Sequence, residues 1–158
     1  SSVDVIGYSA GGVVARVWAE RHDGAEKARR IVTLGSPHHG AQIAALGALL
    51  GADTCPAACQ ELVPQSPFLS SLQTPVPTPP QWLALWTTQD QTVVPPDSGS
   101  LEGAVSTSVQ SVCPSLHVGH GDLPTDPVVI RFVLDALGTG RLVAPRPSSC
   151  WPGRTGTK

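Results

Sequence analysis

The 158-residue chain has no methionine, one tyrosine, two phenylalanines and only two lysines, Lys27 and Lys158. Charged residues make up 14% of it, with a formal net charge of −2. That balance argues against a nucleic-acid partner, which would need a basic face. No apolar run reaches the roughly 18 residues of a membrane-spanning helix, and Ala41 to Leu50 is apolar but too short. No internal repeat is evident, and no signal peptide is visible, as expected if the true N-terminus lies upstream of Ser1. Without an initiator methionine, Ser1 reads as the start of a fragment or of a processed chain.

Four cysteines are present. Neither pair has the C-x-x-C spacing of a redox or zinc site. Their even number and loop context predict two structural disulfides, Cys55–Cys59 and Cys113–Cys150, and a secreted, extracellular protein. The competing reading is four reduced thiols in a cytosolic protein.

The richest segment is Gly7-Tyr8-Ser9-Ala10-Gly11. An apolar strand pattern, Val3 to Ile6, precedes it. Apolar residues at Ala10, Val13, Val14, Val17 and Trp18 follow at the spacing of one helix face. Strand, sharp turn and helix form a nucleophile elbow, which lifts a serine hydroxyl clear of the backbone. Gly7 and Gly11 are expected to let strand and helix approach without a Cβ clash. The free N–H groups of the helix N-terminus, Ala10 first, can stabilise an oxyanion.

Serine is a poor nucleophile unless a base and an orienting acid support it. In elbow proteins these follow in the order Ser, Asp or Glu, His. The acid candidate is Asp90, at the polar end of the buried-strand pattern Trp82 to Thr88, with Asp97 and Glu102 as competitors. The base candidate is His120, on a glycine-flanked loop between a predicted strand 105–112 and a helix 127–137, with His117 as competitor. That helix carries an Asp126 N-cap, Pro127 and an apolar face of Val129, Phe132, Val133, Ala136 and Leu137.

The runs Val3 to Arg16, Leu34-Gly-Ser-Pro-His-His-Gly40, Trp86 to Pro95 and Val118-Gly-His-Gly-Asp-Leu123 resemble secreted bacterial lipases of the α/β-hydrolase fold. The resemblance reaches to about Leu137. It implies triacylglycerol lipase or carboxylesterase activity, with Ser9 as nucleophile, Asp90 as acid and His120 as base. Such hydrolases place several strands before the nucleophile strand, whereas six residues precede Gly7 here. The early strands, and the loop that donates a second oxyanion N–H, have no counterpart. The isolated chain is therefore expected to be a poor esterase with one bare strand edge.

Alternating strands and helices predict an α/β fold: an α/β-hydrolase with a mostly parallel sheet and flanking helices, lacking the N-terminal strands. Residues 1–140 form the partial catalytic domain and 141–158 a Pro-rich tail. The predicted order begins with strand 3–7, helix 10–22, strand 31–35 and a helix near 41–49. Within the long insertion 41–80, Ile43, Leu46, Leu49, Leu50, Leu62, Val63, Phe68 and Leu69 line a fatty-chain groove in one reading and ordinary core in the other. His38 and His39 read as a structural turn rather than a metal pair.

Neither cofactor nor metal is called for. The partners implied are a lipid or small ester, with no nucleic acid and no membrane span, and association through an exposed strand edge. Two other functions compete with ester hydrolysis: acyl transfer by the same three residues, and a catalytically incompetent fragment or binding module that retains them.

Overall fold

The computed structural model describes residues 2–42 and 57–151. Four parallel strands, β1 (Val3–Tyr8), β2 (Ala28–Leu34), β3 (Gln81–Trp86) and β4 (Val105–Ser108), lie in the order β1-β2-β3-β4 among the described residues. Parallel neighbours require crossovers. Helices α1 (Ala10–Arg21) and α2 (Gly24–Lys27) lie between β1 and β2 in the chain, and α3 (Ala57–Glu61) and α4 (Pro67–Ser70) between β2 and β3. The one-turn α5 (Val109–Val112) follows β4, and α6 (Pro127–Ala136) comes after the His120 loop.

The two inner strands are apolar over most of their central stretch, Ile31 to Leu34 broken by Thr33 and Trp82 to Trp86 unbroken, because both of their faces are covered. Val32, Leu34, Leu83 and Leu85 point to one face and pack with Val109, Val118, Leu123, Val129 and Phe132. Ile31, Trp82 and Ala84 point to the other and pack with Ala15, Ala19 and Leu101. The register pairs Tyr8 with Leu34, Leu34 with Leu85, and Leu85 with Thr107. The strands thus end nearly level, and the loops that follow them gather at one carboxyl edge, where open α/β sheets bind ligands.

Helix α6 forms as its signals predict. Asp126 accepts hydrogen bonds from the N–H groups of Val128 and Val129, and Val128, Val129, Phe132, Val133 and Ala136 are buried. Helix α1 departs from expectation. Its buried residues are Gly12, Val13, Ala15, Arg16 and Ala19, while Val14 is 65% exposed and Ala10 is also exposed. The helix lies so close to β2 that small residues must face the sheet: a Cβ on Gly12 would fall 3.0 Å from Thr33 Cβ. Close approach, not the largest apolar stripe, selects the buried face.

The predicted strand 105–112 is also corrected. Pairing stops at Ser108, whose hydroxyl accepts from Ser111 N and caps the helical turn α5. Strand β2 starts at Ala28, three residues before the predicted start. The predicted helix near 41–49 lies outside the described residues from Ile43 onward.

Strand β1 is at the sheet edge among the described residues, and Val3 and Ile6 are about half exposed. The segment after α6 is anchored. Leu142 is buried, and its N–H donates to Gln81 Oε1. Cys150 is disulfide-bonded to Cys113, with Cα atoms 5.6 Å apart. The other predicted disulfide falls partly outside the described residues, since Cys55 does. Cys59 is buried against Val13, Leu62 and Leu69.

Candidate active site

The turn between β1 and α1 is sharp. Ser9 has φ 52° and ψ −129°, a conformation that non-glycine residues rarely hold without support. The support comes from β2: Ser9 N–H donates to Leu34 O at 2.8 Å. Gly7 is required, because a Cβ there would lie 2.6 Å from Gly12 Cα. The expectation for Gly11 is overturned. A Cβ on Gly11 would meet nothing within 4 Å, while one on Gly12 would strike Ser36 Oγ at 2.0 Å. The glycine that lets helix and sheet approach is Gly12, one residue beyond the pentapeptide.

Asp90 sits on the loop after β3 and is 5% exposed. Its Oδ1 accepts from Thr92 N and Val93 N at 2.8 and 2.7 Å, which aims Oδ2 at His120. His120 Nδ1 lies 2.7 Å from Asp90 Oδ2, and His120 Nε2 lies 3.1 Å from Ser9 Oγ. A carboxylate beside Nδ1 holds the proton there, which leaves the Nε2 lone pair facing the serine hydroxyl. The sequence separations are 30 and 111 residues, so the fold alone brings the three together.

The loops that carry Asp90 and His120 are tied to each other. Thr87 Oγ1 donates to Val118 O at 2.5 Å, and Val118 N donates to Gln89 Oε1 at 3.0 Å. Gly35, at φ +54°, lies beneath the pair. A Cβ there would fall 3.2 Å from His120 Nδ1 and 3.3 Å from Asp90 Oδ2. Tyr8 reaches across from β1. Its hydroxyl donates to His120 O at 3.1 Å, and its ring packs on the His120 ring with centroids 5.1 Å apart. Burial, then the charges of Asp90 and Asp122, raise the Tyr8 pKa above its ordinary value. Sequence reasoning assigned no role at the site to Gly35, Thr87 or Tyr8. The one available signal was a glycine directly after a buried strand.

The competitors lie elsewhere. His117 is exposed and meets the Gln89 amide at 3.4 Å. Asp97 and Glu102 are exposed. Ala10, the oxyanion candidate, is the first residue of α1, so its N–H has no acceptor within the helix.

Beside Ala10 runs an apolar groove of about 260 Å³, lined by Val13, Val14, Val17, Leu62 and Phe68, with Glu61 on its wall. Of the groove candidates, Leu62 and Phe68 line it. Leu69 is buried in the core instead, and Ile43, Leu46, Leu49 and Leu50 lie outside the described residues. Val63 lines neither the groove nor that core cluster.

His38 is buried, with Nε2 3.0 Å from Thr33 Oγ1, and its carbonyl accepts from the buried Arg16. Burial first, then the Arg16 and His39 charges, pull its pKa well below the ordinary 6.5. Among the described residues no three His, Cys, Asp or Glu side chains gather as a metal centre requires.

Comparison with known proteins agrees with this architecture. Residues 1–51 match a family model described as a PGAP1-like alpha/beta domain. No curated protein sequence matches the chain. Aspergillus fumigatus lipase B superimposes with a TM-score of 0.70 at 17% identity, over 87% of this chain and 37% of the lipase. Bacillus licheniformis lipase BlEst2 in its mature form is 24% identical over 56% of this chain and 40% of that one, with a TM-score of 0.35. The chain therefore has an α/β-hydrolase fold. It spans a little over a third of the length of the fungal lipase it resembles.

Proposed function

We propose that the chain carries the catalytic centre of a serine ester hydrolase of lipase or carboxylesterase type. The observation that supports this best is the hydrogen-bonded line from Asp90 Oδ2 through His120 to Ser9 Oγ, with separations of 2.7 and 3.1 Å. In this reading Ser9 Oγ attacks the ester carbonyl carbon while His120 Nε2 takes the hydroxyl proton. Asp90 fixes the imidazole and stabilises its cation. The carbonyl oxygen becomes an oxyanion beside the Ala10 N–H at the positive end of α1.

Collapse of the tetrahedral intermediate breaks the bond to the alcohol oxygen, which leaves with the proton from His120. Water then adds to the acyl-enzyme, again with His120 as base, and releases the acid and a free Ser9 hydroxyl. The acyl portion lies in the apolar groove beside Ala10. The substrates of this reading are lipid or small neutral esters. The Cys113–Cys150 disulfide supports an extracellular location for the protein.

The test is hydrolysis of a short-chain nitrophenyl ester by the chain and by its Ser9→Ala variant. Ser9-dependent release of nitrophenol supports the reading. Release that survives Ser9→Ala refutes it.

A further inference from the structure

The His120 loop is tied to the loop after β3 through Val118 and is shaped by bonds of its own. Gly119 and Gly121 flank the histidine, and a Cβ on Gly121 would meet nothing within 4 Å. Within the loop, Leu123 N donates to His120 O at 3.3 Å and Gly119 N to Asp122 Oδ2 at 3.0 Å. These bonds shape the turn but do not locate it relative to β1. From β1 comes Tyr8, whose hydroxyl donates to His120 O across a separation of 112 residues and whose ring packs against the imidazole at a 37° tilt.

Tyr8 is also the peptide neighbour of Ser9. A short path therefore links the serine to His120 from the β1 side: Ser9 backbone, Tyr8 ring, Tyr8 hydroxyl, His120 carbonyl, alongside the Asp90 bond to His120 Nδ1. A 1 Å misplacement of reacting groups costs on the order of 10²-fold in rate.

We propose that Tyr8 is a positioning residue, which holds the His120 imidazole against Ser9 through its hydroxyl bond to the His120 carbonyl. This rests on the hydrolase reading above. The hydroxyl remains a donor across the range in which an ester hydrolase works, because its surroundings raise the pKa of the phenol. The ring lies within the roughly 6 Å at which an aromatic face attracts a cation. It therefore also favours the imidazolium that forms when His120 takes the proton. Position and charge stabilisation are separable: the hydroxyl supplies the first and the ring the second.

The experiment measures the rate of Ser9 phosphonylation by an organophosphonate ester in the unaltered chain, Tyr8→Phe and Tyr8→Leu, by intact mass. Thermal unfolding of each variant is recorded alongside. Tyr8→Phe keeps the ring and loses the hydroxyl. Its maximal labelling rate should fall about tenfold, the scale of one lost net hydrogen bond of about 1.4 kcal/mol, with the half-saturating phosphonate concentration unchanged. The downfield proton signal of the His120 Nδ1–H bonded to Asp90 should broaden in Tyr8→Phe. Tyr8→Leu should be slower again.

Tyr8→Phe labelling at the unaltered rate with an unbroadened signal overturns the proposal. A fall explained wholly by lost folding, with the rate per folded molecule unchanged, does the same. If the unaltered chain does not label at Ser9 at all, the hydrolase reading fails, a result distinct from a Tyr8 effect.

Discussion

Gly35 lies where a Cβ would approach His120 Nδ1 to 3.2 Å, directly under the bond from that nitrogen to Asp90. Its φ of +54° disfavours any other residue, and the same Cβ would lie 2.7 Å from Leu123 Cδ1. Gly35→Ala should destabilise the fold by about 1–3 kcal/mol. It should also slow Ser9 labelling per folded molecule by on the order of 10²-fold. Urea unfolding combined with labelling kinetics separates the two effects.

The pentapeptide glycines are unequal. Gly11→Ala should be tolerated and slightly stabilising, because it fills open space at a helical position. Gly12→Ala should cost about 1–3 kcal/mol, since its Cβ would strike Ser36. Melting temperatures of the two variants should move in opposite directions.

Buried His38 makes stability depend on pH. Its folded pKa lies below the unfolded value of 6.5, so in acid the unfolded chain takes up a proton that the folded chain does not. Its contribution is complete above pH 6.5 and is lost as pH falls from there toward the folded value. The slope it adds approaches about 1.4 kcal/mol per pH unit. Urea titrations between pH 7 and pH 5 should show His38→Gln losing less stability over that interval than the unaltered chain.

The disulfide closes a loop between residues 37 positions apart. By loop entropy its removal should cost roughly 2–4 kcal/mol. Cys113 also begins the loop that ends at His120, so the paired substitution Cys113→Ser with Cys150→Ser should slow Ser9 labelling as well as lower the melting temperature.

Among the described residues β1 is the edge strand and carries half-exposed Val3 and Ile6, and beside Ile6 a cavity of about 260 Å³ is lined by Ile130, Leu134 and Leu137. An apolar strand edge of this kind is a template for pairing with another chain. Ile6→Lys should reduce concentration-dependent association measured by sedimentation, and leave the Ser9 labelling rate unchanged.

The parts of this molecule legible in its sequence are those fixed by local pattern. The elbow announced itself through a strand pattern, a small turn and a helix pattern in one stretch. Helix α6 did so through Asp126, Pro127 and its apolar period. Asp90 and His120 were readable because each sits in a loop of distinct chemistry after a strand pattern. The hidden parts depend on tertiary approach. Burial of Arg16 rather than Val14, the need for Gly12 rather than Gly11, and the placement of Gly35 under His120 all follow from how closely α1 and the His120 loop press on β2. Single-residue periodicity does not encode that distance. The end of β4 at Ser108 was missed for a different reason: Ser-x-x-Ser, here a capped turn, also fits the alternation of a strand.

The central claim is that His120 and Asp90 activate Ser9. Its most direct measurement is intact-mass analysis of the chain after exposure to an organophosphonate ester, with peptide mapping of the adduct. The account predicts one adduct per chain at Ser9. It further predicts that labelling disappears in Ser9→Ala and slows by at least about 10³-fold in His120→Ala, the scale on which triads depend on their base. A folded chain that stays unlabelled, or one that labels at Ser9 equally fast without His120, would contradict it.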